Sequence, residues 1–424
     1  MLFFIYFQVD DNTYPNLMAI FTGYSLEKAD EICNSHKYPL DNCTTLFKLF
    51  NEQNLITAYS EDECGMSTFT YLRKGFAQQP TDYYQRPLIM SMEDNLPVTK
   101  LSGLKFCLGP RRTAELVYGF GVEFAERFLG KSIFGLFWAN SFSHNYWRDP
   151  HTMDERMVEF FNEMHEKDIL ENNVVVLFSD HGARWGFLRS EKDGYNEERL
   201  PMFFLRLPKW FQLKYPEFVE ALKINKHRLT SPYDFHVTLK HLAILAQGKD
   251  IVDNSLGTPF SCPECQTLFK PVDKNRMCNQ AGINDHWCTC TPYRRLDSHS
   301  AAMQNITKLV IKEMNAYLNR LGYGKKCAPL EFKGNEEANL MLELHDVNPK
   351  DKDMQTYRMN FEINPNEALF DATLIYNRQN NSIIIDVPEI SRLNVYAEDA
   401  KCITDNNIVK KFCICYESIK KKSR

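Results

Sequence analysis

Two short clusters hold the residue types that chemistry needs. Ser179-Asp180-His181-Gly182 comes directly after the apolar run 174–178. A buried strand there would deliver a carboxylate and an imidazole side by side at its carboxyl end, the edge of an open α/β sheet where ligands bind. That donor pair suits a divalent cation such as zinc or manganese, and Gly182 permits a sharp exit. The structural alternative is an aspartate capping the following turn with the histidine as its partner. The second cluster, Asp10-Asp11-Asn12-Thr13-Tyr14-Pro15-Asn16-Leu17, also follows an apolar run. Pro15 suits the first turn of a helix. A threonine hydroxyl at that helix N-terminus, beside a cation, is an activated nucleophile facing an anionic substrate. Taken alone, Thr13 also reads as an ordinary N-cap.

The elements that must position these clusters follow from periodicity. Apolar, β-rich runs at 2–9, 133–138, 174–178 and 202–205 predict strands. Segments of helical period lie between them at 45–51, 113–128 and 153–167. In the last, Met153, Met157, Phe160, Phe161 and Met164 share one face and read as core packing. Alternating strands and helices predict a three-layer α/β/α fold with a mainly parallel sheet covered on both faces. Past residue 250 the character changes. Residues 257–295 are rich in Cys and Pro and lack period, and a helix is expected over 301–321. Alternating runs at 357–363, 372–376 and 382–387 then predict a small antiparallel sheet, with turn chemistry at Asn364-Pro365-Asn366 and Asn380-Asn381. The expected organisation is a core over 1–255, a Cys-rich connector over 256–295 and a small α+β, cysteine-containing domain over 296–424.

Composition removes several classes. The 424 residues carry 50 Lys+Arg against 55 Asp+Glu, 44% hydrophobic and 25% charged residues, which excludes wholesale disorder and argues against a nucleic-acid partner. The only cationic run is the terminal Lys-Lys-Lys-Ser-Arg, read as a solvated tail. No apolar stretch is long enough to predict a membrane span. The opening Met-Leu-Phe-Phe-Ile-Tyr-Phe lacks a basic flank and runs straight into Asp10 and Asp11, so it reads as a core strand rather than a leader, and suggests an upstream segment has been lost. Thirteen cysteines, most of them C-terminal, and Asn-x-Ser/Thr acceptors at Asn42, Asn305 and Asn380 point to an oxidising, secretory or extracellular environment. The odd count leaves at least one thiol unpaired within the chain. Cys262, Cys265, Cys278, His286, Cys288 and Cys290 offer a zinc alternative to disulfides, against which the C-x-C spacing of the last pair counts.

Longer motifs give a resemblance. D-N-T-Y-P-N-L (11–17), A-Y-S-E-D-E (58–63), K-G-F-A-Q-Q-P-T-D-Y-Y (74–84), W-A-N-S-F-S-H-N (138–145), S-D-H-G-A-R-W-G (179–186), E-E-R-L-P (197–201), R-L-T-S-P-Y-D-F-H-V-T-L (228–239), C-N-Q-A-G-I-N-D-H-W-C-T-C (278–290) and S-R-L-N-V-Y (391–396) span nearly the whole chain. Jointly they resemble domain-of-unknown-function family 229, secreted sulfatase-like proteins of the alkaline phosphatase superfamily. The resemblance implies a metal-dependent hydrolase of phosphate or sulfate esters. It implies that Thr13 is the nucleophile and that His144 touches the anionic group or protonates the leaving oxygen. Asp180 and His181 become ligands of a divalent metal (zinc, manganese or calcium). Arg184 and Arg189 become candidates for holding anionic oxygens in a fork; both also fit as surface arginines. The implied partner is an anionic ester, such as a glycan or a lipid head group. Two departures stand out. Thr13-Tyr14-Pro15-Asn16-Leu17 lacks the Cys or Ser and the arginine of the formylglycine sulfatase frame, which leans the expectation toward phosphoesters. The superfamily also supplies a metal-ligating carboxylate from a strand upstream of the nucleophile, which this sequence does not contain before Thr13. The alternative is a non-catalytic secreted binding protein that keeps the fold.

Overall fold

The computed structural model describes residues 2–191, 193–249, 256–297, 300–333, 340–344 and 353–419. The cationic tail and the expected boundary at residue 255 lie outside the described residues. The chain divides into two compact units, Met1–Ile283 and Asn284–Arg424. The cysteine-rich stretch expected as a connector therefore falls partly in the first unit, because Cys262, Cys265, Leu268, Phe269 and Ile283 are all buried there.

In chain order the first unit has strands β1 (Leu2–Phe3), β2 (Ile56–Glu61), β3 (Tyr83–Tyr84), β4 (Val98–Leu101), β5 (Leu104–Leu108), β6 (Arg111–Arg112), β7 (Ile133–Trp138), β8 (Val175–Phe178) and β9 (Phe203–Arg206). They form three separate sheets in the orders β3-β2-β7, β4-β5-β6 and β1-β9-β8. The first is parallel, with Ile56 opposite Ile133 through Glu61 opposite Trp138. The third is antiparallel throughout. A mixed α/β architecture with a parallel sheet is thus present. Among the described strands the parallel pairs are those of β3-β2-β7, with one further parallel bridge between Tyr6 and Thr230; the chain after β8 returns along the same edge instead of crossing over, so β9 runs against it.

The expected strand over 2–9 is regular only at Leu2–Phe3. Beyond it the backbone stays paired but changes partner: the Phe4 amide donates to Phe203 O, the Ile5 amide to Lys226 O and the Phe7 amide to Thr230 O. Phe4, Tyr6 and Phe7 are buried by this switch, so the apolar pattern reports burial without a continuous ladder. The helix α1 (Thr13–Thr22) starts with Pro15 in its first turn and stops at Gly23, whose φ of 74° is the left-handed cap that a side chain would strain. The expected helices form at Leu46–Glu52, Thr113–Arg127 and Asp154–Glu166. An aromatic core holds these elements together: Phe21, Phe47, Phe50, Tyr59, Phe69 and Phe134 lie ring against ring.

The second unit has β10 (Tyr293–Leu296), β11 (Glu331–Phe332), β12 (Leu340–Leu344), β13 (Met354–Asn364), β14 (Ala368–Asn377), β15 (Ser382–Ile384) and β16 (Ser391–Arg392) in one seven-stranded antiparallel sheet. The turn predicted at residues 364–366 joins β13 to β14, and the helix Ala301–Arg320 packs Ile306, Val310 and Met314 into the same core as Phe361 and Phe370. Cys327–Cys413 and Cys402–Cys415 bridge this unit. Arg358 and Asp371 form a buried two-bond pair across the β13–β14 register, at 3.1 and 2.7 Å.

Candidate active site

Asp180 and His181 emerge where β8 ends. The Ser179 amide donates to Met202 O, which holds the strand end against β9, and Ser179 Oγ donates to His181 O at 2.6 Å, which turns the chain. Gly182 is required there for a reason its sequence context does not give. A Cβ at that position would lie 1.9 Å from Glu197 O, while the Gly182 amide donates to Glu198 O at 2.8 Å. The E-E-R-L-P segment therefore clamps the S-D-H-G loop, backbone on backbone.

His181 Nδ1 lies 2.8 Å from Gly182 O. A carbonyl only accepts, so Nδ1 carries the hydrogen and Nε2 is left facing Asp180 Oδ2 at 3.2 Å. That oxygen is buried and has no hydrogen-bond partner among the described residues. Two electron-rich atoms held this close need a proton or a cation near them. The pair fits a divalent metal on this ground: an imidazole fixed by its other nitrogen, beside a carboxylate oxygen with no hydrogen to satisfy it. They provide two of the four donors a zinc ion takes. Among the described residues, no group of three His, Cys, Asp or Glu ligand atoms includes either of them.

Arg184 and Thr13 meet this loop from opposite sequence ends. Arg184 is buried and its guanidinium donates to Asn12 Oδ1 at 2.9 Å, with its other face over the Trp185 ring. The hydrogen bond ties the S-D-H-G-A-R segment to the residue immediately before Thr13. Asn16 sets the turn on the other side: its side-chain amide donates to Asp10 O and Asn12 O, and its oxygen accepts from the Val9 amide. Thr13 then starts α1 with its hydroxyl unpartnered among the described residues. Thr13, His144, Asp180, His181, Arg184 and Trp185 all line one cavity of about 1620 Å³. Asp10 and Asp11 do not line it, and Asp10 Oδ1 accepts from the Asp11 amide instead.

His144 reaches the cavity from the loop after β7. Burial pushes its imidazole below the usual histidine range, and nearby Arg184 and His181 act in the same direction against the Asn145 hydrogen bond. Nδ1 donates to Asn145 Oδ1 at 2.7 Å, so Nε2 of the neutral ring is the open acceptor. The loop is braced by acids that the motif reading left without a role. Asp62 is fully buried and accepts from the Asn140 amide at 2.6 Å and the Ser141 amide at 3.2 Å. Glu61 accepts from Asn140 Nδ2 and Thr68 and takes a short hydrogen bond from Tyr59. Desolvation raises Asp62 to about 7 despite these donors. The A-Y-S-E-D-E motif at the end of β2 was the available signal. Its partners sit 78 and 79 residues away, beyond what spacing can reveal.

Arg189 has a different setting from Arg184. Its side chain is buried against Glu198, Nε to Oε2 2.7 Å, and Glu198 also pairs with fully buried Arg199. It does not line the cavity. In the cysteine-rich stretch Cys262 bridges Cys265, and Cys278 and Cys288 are also disulfide-bonded, so these thiols are engaged in bridges rather than free for zinc. His286 is held by Thr373 and Ser391. The free thiols among the described residues are Cys64, Cys107 and Cys290.

Fold and site together define a mixed α/β protein whose chemistry-bearing side chains gather where strands end. The chain belongs to the family described as "Protein of unknown function (DUF229)", whose model matches residues 1–336. No curated protein sequence matches it. Among solved structures it is similar to a Bacteroides thetaiotaomicron chain, designated BT33336S-sulf and described under the metabolism of multiple glycosaminoglycans. The identity is 10% and the TM-score 0.36, over 64% of this chain and 75% of that one.

Proposed function

We propose that this protein is a metal-dependent hydrolase of anionic esters that uses Thr13 as its nucleophile. The observation that carries the proposal is the Arg184–Asn12 hydrogen bond. It ties the loop bearing Asp180 and His181 to the start of α1, and both open on one cavity. Asp180 and His181 would hold the cation, which when bound supplies charge neutralisation for the substrate and favours the alkoxide of a nearby hydroxyl. Thr13 Oγ1 forms a bond to the central phosphorus or sulfur while the bond to the leaving oxygen breaks. The open Nε2 of His144 takes the threonine proton and returns it to the leaving alkoxide, so the alcohol departs neutral. Water then attacks the threonine ester, releasing the inorganic anion and restoring Thr13. Arg184, fixed by Asn12, presents its guanidinium to the anionic oxygens, whereas Arg189 supports the loop through Glu198.

Phosphoesters are the favoured class, because the Thr13 frame lacks the formylglycine pattern. A glycan or lipid head group bearing such an ester fits the reading. The five disulfide-bonded cysteines of the second unit and the Cys33–Cys43 bridge of the first support a secreted protein. Exposed Asn42 and Asn380 are suitable for glycosylation. No helix among the described residues is long and apolar enough to cross a membrane. The reading takes the first unit as a three-layer α/β/α core and the second as an α+β module. A non-catalytic, ligand-binding role is the second reading, favoured by the two-donor cation site.

The test measures bound metal and the hydrolysis of 4-nitrophenyl phosphate, bis(4-nitrophenyl) phosphate and 4-nitrophenyl sulfate by the full chain. Thr13→Ala should lower turnover at least ~10³-fold with metal content unchanged. Asp180→Asn should remove the metal. Turnover that survives Thr13→Ala would overturn the nucleophile. Metal-loaded protein without turnover on any ester would establish the binding role.

A further inference from the structure

Cys327–Cys413 and Cys402–Cys415 stand side by side in the second unit. Cys327 and Cys415 lie opposite each other in an isolated antiparallel bridge. The Ala328 amide donates to Ile414 O at 2.8 Å and the Tyr416 amide to Lys326 O at 3.3 Å on either side of it. Cys327 nevertheless bonds to Cys413, and Cys415 to Cys402. Cys402 Sγ comes within 4.0 Å of Cys413 Sγ, a sulfur of the other bridge. The sulfurs of Cys402, Cys413 and Cys415 all lie within 4.8 Å of one another. Each is already bonded in a disulfide. The cluster therefore offers no thiolate to a metal, and the chemistry open to it is exchange.

Access differs among the four sulfurs. Cys413 and Cys415 are 0% exposed and Cys327 3%, whereas Cys402 is half-buried. A thiolate arriving from solvent meets Cys402 first. The Cys402 amide donates to Cys415 Sγ at 3.0 Å. The sulfur expelled by attack at Cys402 thus has a donor in place for its negative charge, and a better leaving thiolate speeds exchange. A thiolate freed at Cys402 then faces Cys413 Sγ across 4.0 Å, and Cys327 is the group that attack there expels.

We propose that these four cysteines form a thiol-triggered relay that moves the cross-link of the second unit. A monothiol of the glutathione class attacks Cys402 Sγ, and the Cys402–Cys415 bond breaks with Cys415 leaving. A second monothiol removes the first as its disulfide and frees Cys402. Cys402 Sγ then bonds to Cys413 Sγ while the Cys327–Cys413 bond breaks. Two electrons pass from the pair of monothiols to the cysteines, and their two protons end on Cys327 and Cys415. The outcome is topological: a bridge between residues 86 apart is replaced by one between residues 11 apart. A cross-link over a long loop constrains the unfolded chain more than one over a short loop, so the segment from Cys402 onward gives up its covalent tie to Cys327. The end of the second unit thereby responds to the thiol content of its surroundings. The proposal does not rest on the hydrolase reading and uses no residue of the first unit.

The test incubates the full chain, with its free thiols blocked by N-ethylmaleimide, in reduced glutathione under native conditions. Aliquots are quenched with heavy-isotope N-ethylmaleimide, and non-reducing peptide mapping by mass spectrometry reads each linkage. The expected result is heavy label on Cys327 and Cys415 together with a new Cys402–Cys413 linkage. In Cys402→Ser the release of Cys327 should slow at least ~10-fold at the same glutathione concentration. Where that variant does not fold, the mapping of the unsubstituted chain decides by itself. Heavy label on Cys402 and Cys415 with Cys327–Cys413 intact would overturn the relay. So would label on Cys327 and Cys413 before Cys415, or no label on any of the four at every glutathione concentration that leaves the chain folded. A Cys413–Cys415 linkage would overturn Cys402 as the attacking group.

Discussion

β8, apolar throughout, and β13, which alternates apolar and polar residues, are finished differently. β13 is paired along ten positions with β14 and on its other edge with β12 and β11. Its Phe361 and Ile363 are fully buried. Among the described residues β8 is paired on one edge only, and its four residues are half-buried around a cavity. The second unit thus packs its sheet on a buried apolar core and adds two disulfides. The first leaves apolar surface accessible along the cavity and places the buried, unpartnered Asp180 Oδ2 at the same opening. Complete pairing marks the more stable region, and the residues proposed to act on substrate lie where pairing is incomplete.

That contrast can be broken in three ways, the largest first. Phe361→Ala should cost about 3–5 kcal/mol, since the ring is fully enclosed, whereas Val176→Ala should cost about 1 kcal/mol because its side chain is only half-buried. Calorimetric unfolding of the two variants checks the difference, and equal costs would erase the contrast. Replacing both Cys327 and Cys413 with serine opens a bridge between residues 86 apart in sequence. It should lower the stability of the second unit by about 2–5 kcal/mol and leave hydrogen exchange in β7 and β8 unchanged. Loss of protection in the first unit would show that the units unfold together.

The third prediction sharpens the site end of the comparison. Asp62→Asn should loosen the 140–144 loop and reduce ester turnover roughly tenfold through misplacement of His144. It should also change the pH dependence of stability. Folding raises the Asp62 carboxyl from 3.8 to about 7. Its contribution to stability is therefore fully present below about pH 4 and is lost as pH rises through about 7. The asparagine variant should show a flatter dependence between those limits, with a residual slope of the same sign from Glu61, which burial also raises. Urea unfolding at pH 5 and pH 8 measures this, and an unchanged slope would remove Asp62 from the account.

Much of the local structure was legible in the residues. The β7 and β8 runs, the helices at 46–52, 113–127 and 154–166, and the hairpin turn at 364–366 follow from periodicity and turn chemistry. The neighbouring placement of Asp180 and His181 on a strand end is covalent, so any fold that keeps the strand keeps the pair. Arg184 and Arg189 read alike in sequence and separate only in three dimensions. One reaches Asn12 across 172 residues, and the other is neutralised by Glu198 nine positions on.

The sequence by itself determined which stretches are buried and where they turn, because side-chain hydrophobicity, proline and glycine act over a few residues. Only the tertiary structure decided strand partners and direction, the backbone contact that requires Gly182, the bracing of the His144 loop by Asp62, and the cavity along β7 and β8. Those depend on segments far apart in the chain reaching the same few ångströms, and no local pattern encodes that meeting.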